Sequence, residues 1–165
     1  YSTSKIAAEF LCQDYWNLYQ QPFTVLRYGI PYGPMMRDNL VIAIFLRKAL
    51  AGDPITIAGD GLQFRNFVYV GDLARAHVLA MGDVAKNQTY NLEGAEKITI
   101  KDIAEAVTEL IDGPTSIEYT PARPGDYEGK VVSAEKALND LGWKPEVNFL
   151  EGLRLTTEWY RATHS

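Results

Sequence analysis

Tyr1-Ser2-Thr3-Ser4-Lys5 opens a stretch that runs to about position 20 and is followed at once by Phe23-Thr24-Val25-Leu26-Arg27-Tyr28. This order, helix then strand, decides the fold. Ala7, Leu11, Tyr15 and Leu18 recur at helical spacing, so residues 2–20 are expected to form an amphipathic helix that Gln21-Pro22 ends. Residues 23–28 are rich in β-formers and read as a buried strand. The first five residues also carry chemistry. At a spacing of four, the Tyr1 phenol and the Lys5 ammonium lie on one helix face about a turn apart and can reach the same ligand. A free tyrosine titrates near ~10 and is a poor base at neutral pH, but a fixed positive charge beside it favours the phenolate. A tyrosine tuned in this way can take a proton from a substrate hydroxyl and return it.

The rest of the chain continues the alternation. Residues 29–34 (Gly-Ile-Pro-Tyr-Gly-Pro) read as a loop, and Ile42, Phe45, Leu46 and Ala49 mark a second helix closed by Gly52-Asp53-Pro54. Residues 55–58 read as a short strand, Gly59-Asp60-Gly61 as a turn, and residues 67–70 as another strand. Asp72 is placed to cap a helix carrying Leu73, Ala76, His77 and Ala80, with His77 read as a structural histidine. Residues 89–92 are strand-like, and Thr99 with Asp102 forms a capping box for a helix with Ile103, Val107, Leu110 and Ile111 inward. Residues 116–119 read as a strand. A short helix from Ser133 carries Ala137, Leu138 and Leu141 and stops at Gly142. Asn148 and Glu151 cap a last helix with Leu150, Leu153, Thr157 and Tyr160 on one face. Alternating strands and helices make this an α/β protein with helices packed on a sheet.

Composition narrows the function. The 165 residues are one domain's worth, with 47% hydrophobic and 22% charged side chains, as in soluble globular proteins. A net charge of −5 gives no basic field for nucleic acid. The single cysteine, Cys12, excludes an internal disulfide or a cysteine-based metal cluster, and no metal site is expected. There is no apolar run of membrane-spanning length and no signal-like segment, so a cytoplasmic location without membrane contact is expected. The chain starts at Tyr1, inside a motif, and reads as a piece of a longer protein.

Two further polar features stand out. Gly59 to Arg65 is a glycine turn that delivers an arginine to the start of a strand; a guanidinium suits phosphate oxygens, although a hairpin with a surface arginine has the same pattern. Arg123-Pro124-Gly125-Asp126 holds a cation and an anion in a stiff loop, to meet a phosphate and a sugar hydroxyl or simply each other. With the acid–base tyrosine, they fit a ligand made of a diphosphate and a polyol, such as a nucleotide-sugar.

The motifs in order are Tyr1-x-x-x-Lys5, Leu26 to Pro34, Gly59-Asp60-Gly61 followed by Arg65 to Ala74, and Arg123 to Asp126. Together they closely resemble the C-terminal half of extended short-chain dehydrogenase/reductases, specifically the NAD-dependent epimerase/dehydratase family, with UDP-glucose 4-epimerase the nearest named activity. The resemblance covers essentially the whole chain. It implies the C-terminal part of an extended Rossmann-type fold, with residues 1–30 and about 67–93 in the sheet remnant and about 31–66 and 94–165 mainly in a substrate-binding lobe. By the resemblance, Tyr1 is the catalytic acid–base, and Lys5 holds the nicotinamide ribose of NAD and depresses the Tyr1 pKa. The backbone at Tyr28 and Gly29 passes the nicotinamide and the sugar. Ile30 stands at a substrate-contacting site that bears on sugar recognition. Asn39 and Leu40, at the head of the second helix, contact the phosphates and nucleotide of the nucleotide-sugar, a UDP-sugar by preference, and Ile57 flanks its base. Arg65 and Arg123 clamp the diphosphate, and Asp126 lies by the nucleotide ribose. The helix from Tyr1 resembles one that pairs with its counterpart in a homodimer.

This chain departs from the family pattern at Ile30, where asparagine is common, and at Ser133, where aspartate is frequent. The glycine-rich phosphate loop and the catalytic Ser/Thr of the family are not among these residues, so the 165 residues alone are expected to be inactive. Rival readings are a nucleotide-sugar 4,6-dehydratase or decarboxylase, and a non-catalytic relative used as a binding or scaffolding module.

Overall fold

The computed structural model describes residues 1–122 and 129–164. Helix α1 (Ser2–Tyr19) contains neither glycine nor proline and ends at Gln20, whose left-handed φ of 53° turns its N–H back onto Trp16 O. The chain continues through β1 (Thr24–Tyr28), β2 (Ile30–Tyr32), α2 (Val41–Ala51), β3 (Ile55–Ala58), β4 (Phe64–Arg65) and β5 (Phe67–Tyr69). It then forms α3 (Val70–Leu79), β6 (Gln88–Leu92), β7 (Ile98–Thr99), α4 (Ile100–Leu110), β8 (Ile117–Thr120), α5 (Glu135–Leu141) and α6 (Phe149–His164).

Among the described residues three strand pairs are parallel: β1 with β6 (Thr24 opposite Gln88), β2 with β5 (Ile30 opposite Phe67), and β3 with β8 (Ile55 opposite Ile117). Strands β4 and β7 pair antiparallel. Parallel partners need crossover connections, which the helices provide, so the α/β class is as expected. The chain changes partners at Gly29: its own N–H meets Leu92 O beyond β1, and the next N–H, of Ile30, meets Asn66 O. A Cβ on Gly29 would stand 2.5 Å from Glu93 Oε2 and 2.6 Å from Asn66 O, so only glycine fits this crossing.

Two apolar clusters hold the elements. One gathers α2, α4 and α6 around β3, with Tyr32 stacked edge-on against Phe67 and Tyr69 and its hydroxyl donating to Phe149 O at 3.2 Å. The other packs α3, β6 and α5 around the fully buried Trp143 and Tyr90. Ala137, Leu141 and Trp143 belong to this second cluster together with Leu92. The Thr99–Asp102 capping box forms as expected, with Asp102 N donating to Thr99 Oγ1 and Thr99 N to Asp102 Oδ2. Asn148 Oδ1 accepts from Glu151 N at the start of α6.

Five expectations change. Strand β1 is not buried: Thr24, Val25 and Leu26 are half-buried and Arg27 and Tyr28 exposed, because among the described residues only β6 pairs with it. Residues 30–32 are not loop but β2, because Asn66 supplies the acceptor that an isolated Gly/Pro segment would lack. Asp72 is not a helix cap: α3 starts at Val70, and the buried Asp72 carboxylate instead accepts from the N–H groups of Glu146 and Val147, 3.0 Å from each. The apolar stripe of α1 is not covered by the described residues, where Leu11, Tyr15 and Leu18 all stay exposed. Leu150 and Leu138 point outward, away from the faces that hold Leu153 and Leu141.

Candidate active site

Tyr1 stands at the N-terminal end of α1, where its carbonyl accepts from Ser4 Oγ at 2.7 Å and Lys5 N at 3.2 Å. The helix brings Lys5 Nζ to 5.4 Å from the centre of the Tyr1 ring, so the two side chains do share a face. Tyr1 is 94% exposed, which leaves its phenol open to a ligand.

A cleft of about 550 Å³ runs between α1 and β1. Tyr1, Lys5, Glu9 and Cys12 line it from the helix, β1 and Gly29 line it from the sheet, and Pro31 and Arg37 also border it. Across it, Arg27 Nε donates to Glu9 Oε1 at 2.8 Å and Nη2 to Oε2. Hydrogen bonding to Arg27 holds the Glu9 carboxyl below the usual range, and Glu9 raises Arg27 in turn. Neighbouring strand residues point to opposite faces. With Arg27 turned to α1, Tyr28 turns to α3, where its hydroxyl lies 2.7 Å from His77 Nε2. His77 Nδ1 lies 2.7 Å from Leu73 O, which can only accept, so Nδ1 carries a proton and donates there, leaving Nε2 to share a hydrogen bond with the Tyr28 hydroxyl. Burial pushes the Tyr28 phenol up. His77 thus has the structural role read from the sequence, and Tyr28 offers the cleft its backbone rather than its hydroxyl.

Ile30 and Leu40 meet in a small apolar depression of about 40 Å³, with Met36 and Phe67. Pro31 lines both this depression and the larger cleft, so the two adjoin. Asn39 is exposed on the turn that Leu40 N closes onto Arg37 O at 3.2 Å. Ile57, expected beside a nucleotide base, is 1% exposed and belongs to the core; alternation along β3 turns Thr56 outward instead, bonded to Lys48 Nζ. Arg65 borders neither hollow, and its Nη1 donates to Phe64 O at 2.7 Å. It is joined to the depression through Phe67, two residues along. Arg123 and Asp126 lie outside the described residues.

The sequence reading missed Arg37 and Glu93. Glu93 follows β6 and sets its carboxyl against the Gly29 backbone, where burial pushes its pKa above the usual value. Next to it, Asn66 Nδ2 donates to Gly94 O and Glu96 O, while Asn66 Oδ1 is buried without a partner among the described residues. No group of three or more His, Cys, Asp or Glu among the described residues is arranged to hold a metal ion. No helix among them is long and apolar enough to cross a membrane.

Residues 1–92 match the model of the NAD dependent epimerase/dehydratase family. The chain is 32% identical to the dTDP-glucose 4,6-dehydratase of Xanthomonas campestris pv. campestris (strain B100), over 97% of this chain and 48% of that protein. It superimposes on the UDP-glucose 4-epimerase of Thermotoga maritima, solved with UDP-glucose, with a TM-score of 0.92 and 34% identity over 100% of this chain and 54% of that one. The Thermus thermophilus UDP-glucose 4-epimerase, in complex with NAD, gives a TM-score of 0.87 at 36% identity, over 99% of this chain and 54% of that one. The chain spans about half the length of the curated relatives it matches. With the family model over more than half its residues and the same fold in these solved structures, the chain belongs to the NAD dependent epimerase/dehydratase family.

Proposed function

We propose that this chain is the substrate-binding, C-terminal part of an NAD-dependent nucleotide-sugar epimerase/dehydratase whose reaction is like that of UDP-glucose 4-epimerase. One observation carries the reading: Tyr1 and Lys5 share a cleft with the bare backbone of Gly29, at the carboxyl ends of the parallel strands β1 and β6. In open α/β sheets ligands sit outside those strand ends.

The residues fit the nicotinamide half of NAD. Lys5 has three donors for ribose hydroxyls, and Gly29 offers bare backbone at a point where neighbouring groups leave no room for a Cβ. NAD, when bound, supplies the acceptor and donor of hydride. Tyr1 takes the proton from the sugar hydroxyl as that carbon becomes a ketone, and returns it when the alcohol re-forms. Lys5 shares the helix face with Tyr1, its Nζ 5.4 Å from the ring centre. For an epimerase the ketone must present its other face before the alcohol re-forms.

The same reading gives the nucleotide-sugar, a UDP-sugar by preference, to Ile30, Asn39 and Leu40. Its diphosphate goes to Arg65 and Arg123, and its ribose to Asp126. It keeps the division into a sheet remnant (1–30, 67–93) and a substrate lobe (31–66, 94–165), and a cytoplasmic location. It pairs two copies through α1, where Ile6, Phe10, Leu18 and Tyr19 are exposed. On this reading the 165 residues alone turn over no nucleotide-sugar.

A 4,6-dehydratase is the second reading, favoured by the identity to the Xanthomonas dehydratase. The complete protein incubated with UDP-glucose and with dTDP-glucose separates the two. An epimerase returns an isomer of unchanged mass; a dehydratase returns a 4-keto-6-deoxy sugar lighter by one water. Absence of both products and of bound NAD refutes the family chemistry for this protein.

A further inference from the structure

Glu93 places a carboxyl beside the cleft at a point where the chain has no side chain of its own. Leu92 packs into the cluster of α3, β6 and α5, so its successor turns to the opposite face, the one on which Arg27 reaches α1 across the cleft. Tyr28 turns to α3, so Gly29 also faces that way. The two residues meet there: Glu93 Oε2 lies 2.5 Å from the position a Gly29 Cβ would take. The carboxyl therefore fills the space beside the glycine whose backbone lines the cleft together with Tyr1 and Lys5.

This carboxyl has no counter-charge. Among the described residues no hydrogen bond or ion pair reaches it, and burial raises its pKa with no cation contributing. The oxygens of its neighbour Asn66 offer it no donor. Asn66 O, 2.6 Å from the same Cβ position, already accepts from Ile30 N, and the buried Asn66 Oδ1 has no partner among the described residues. Acceptors without donors, set at the carboxyl ends of β1 and β6, favour a ligand that brings positive charge. The nicotinamide ring is cationic in NAD⁺ and neutral in NADH, so a carboxylate near it acts on one oxidation state only.

We propose that Glu93 sets the redox preference of the bound cofactor, its carboxylate against Gly29 stabilising the oxidised, cationic nicotinamide over the reduced, neutral one. The inference rests on the placement of the nicotinamide beside Lys5 and Gly29 and adds to it the residue that tunes the cofactor. In the oxidising step a hydride leaves the sugar carbon with both electrons of its C–H bond and joins the ring, whose positive charge is cancelled, while the hydroxyl proton goes to Tyr1. Glu93 opposes that step and favours its reverse, in which the ketone takes the hydride back. The consequence is a short-lived ketone and a cofactor that rests as NAD⁺ between turnovers.

The test is made on the complete protein. Dissociation constants for NAD⁺ and for NADH are measured by calorimetry after removal of the bound cofactor, and the midpoint potential of the bound couple is read from NADH fluorescence. Glu93→Gln keeps the shape of the side chain and removes its charge. It is expected to raise the ratio of the NAD⁺ to the NADH dissociation constant about 10-fold, almost wholly through weaker NAD⁺ binding, which moves the midpoint up by about 30 mV. Glu93→Asp keeps the charge on a shorter arm and should fall between parent and glutamine. A ratio unmoved by Glu93→Gln overturns the proposal, and so does an equal loss of affinity for both forms, which marks a purely structural role. Either result, with nucleotide-sugar still turned over, leaves the epimerase/dehydratase reading standing; a complete protein that binds neither form of the cofactor sinks both.

Discussion

Replacing Asp72 with alanine removes the acceptor that ties the start of α3 to the segment leading into α6. Asp72 is 3% exposed, and its Oδ2 accepts from both Glu146 N and Val147 N at 3.0 Å. Hydrogen bonds to a charged group are worth roughly 1.5 kcal/mol or more each, and both N–H groups lose their acceptor in the variant. The third partner, Arg75 Nη2 at 3.2 Å, is part-exposed and adds little. The expected loss is therefore about 3 kcal/mol. For a domain of this size that lowers Tm by about 6–12 °C. Asp72→Asn keeps one acceptor oxygen and is expected to fall between parent and alanine, while Arg75→Ala should cost no more than ~1 kcal/mol. Thermal and urea unfolding followed by circular dichroism read all three. The consequence reaches the cleft, because α3 carries His77, which holds the Tyr28 hydroxyl. An Asp72→Ala variant no less stable than Arg75→Ala would refute the anchoring role.

Three further outcomes are expected. Burial raises the Glu93 carboxyl above its ordinary 4.5, so the folded chain binds more protons than the unfolded one, and stability falls as pH rises from 4.5 through the folded pKa. Glu93→Gln should thus be the more stable form at neutral pH and lose that advantage in acid; an advantage independent of pH in urea titrations would count against this. Gly29→Ala pushes a methyl against Glu93 Oε2 and the Asn66 carbonyl and should destabilise by about 1–3 kcal/mol; adding Glu93→Ala relieves only part, because the backbone carbonyl stays, and complete relief would be evidence against the tight crossing. Glu9→Gln breaks an exposed ion pair and should change stability by less than ~1 kcal/mol by the same unfolding assay, with a larger loss showing that α1 depends on Arg27.

What the sequence made legible was local. The Thr99–Asp102 box, the left-handed Gly52 and Gly142 that end α2 and α5, and the spacing of Tyr1 and Lys5 each depend on residues within a turn or two. What it hid depends on distant partners. Strand β2 reads as a turn because Gly29, Pro31 and Gly33 are turn residues, and only pairing with β5 makes it a strand. The two-residue β4 gives no period to detect, and Asp72 looks like a cap until Glu146 and Val147, more than seventy residues on, are brought to it. The α1 stripe was legible as a pattern, but its cover is not among the described residues. In the site, Tyr1 and Lys5 announce themselves by spacing. Arg37 and Glu93 are loop charges with no pattern around them, and become candidates only when the cleft and the Gly29 crossing place them.

The most direct measurement is single-site and chemical. In the complete protein, Tyr1→Phe deletes one hydroxyl and leaves the ring over which Lys5 lies. The expected result is a fall in kcat of about 10²- to 10⁴-fold with NAD still bound, since proton transfer is lost and the pocket is kept. Turnover of a nucleotide-sugar at the parent rate by Tyr1→Phe would contradict the assignment of this phenol as the acid–base group.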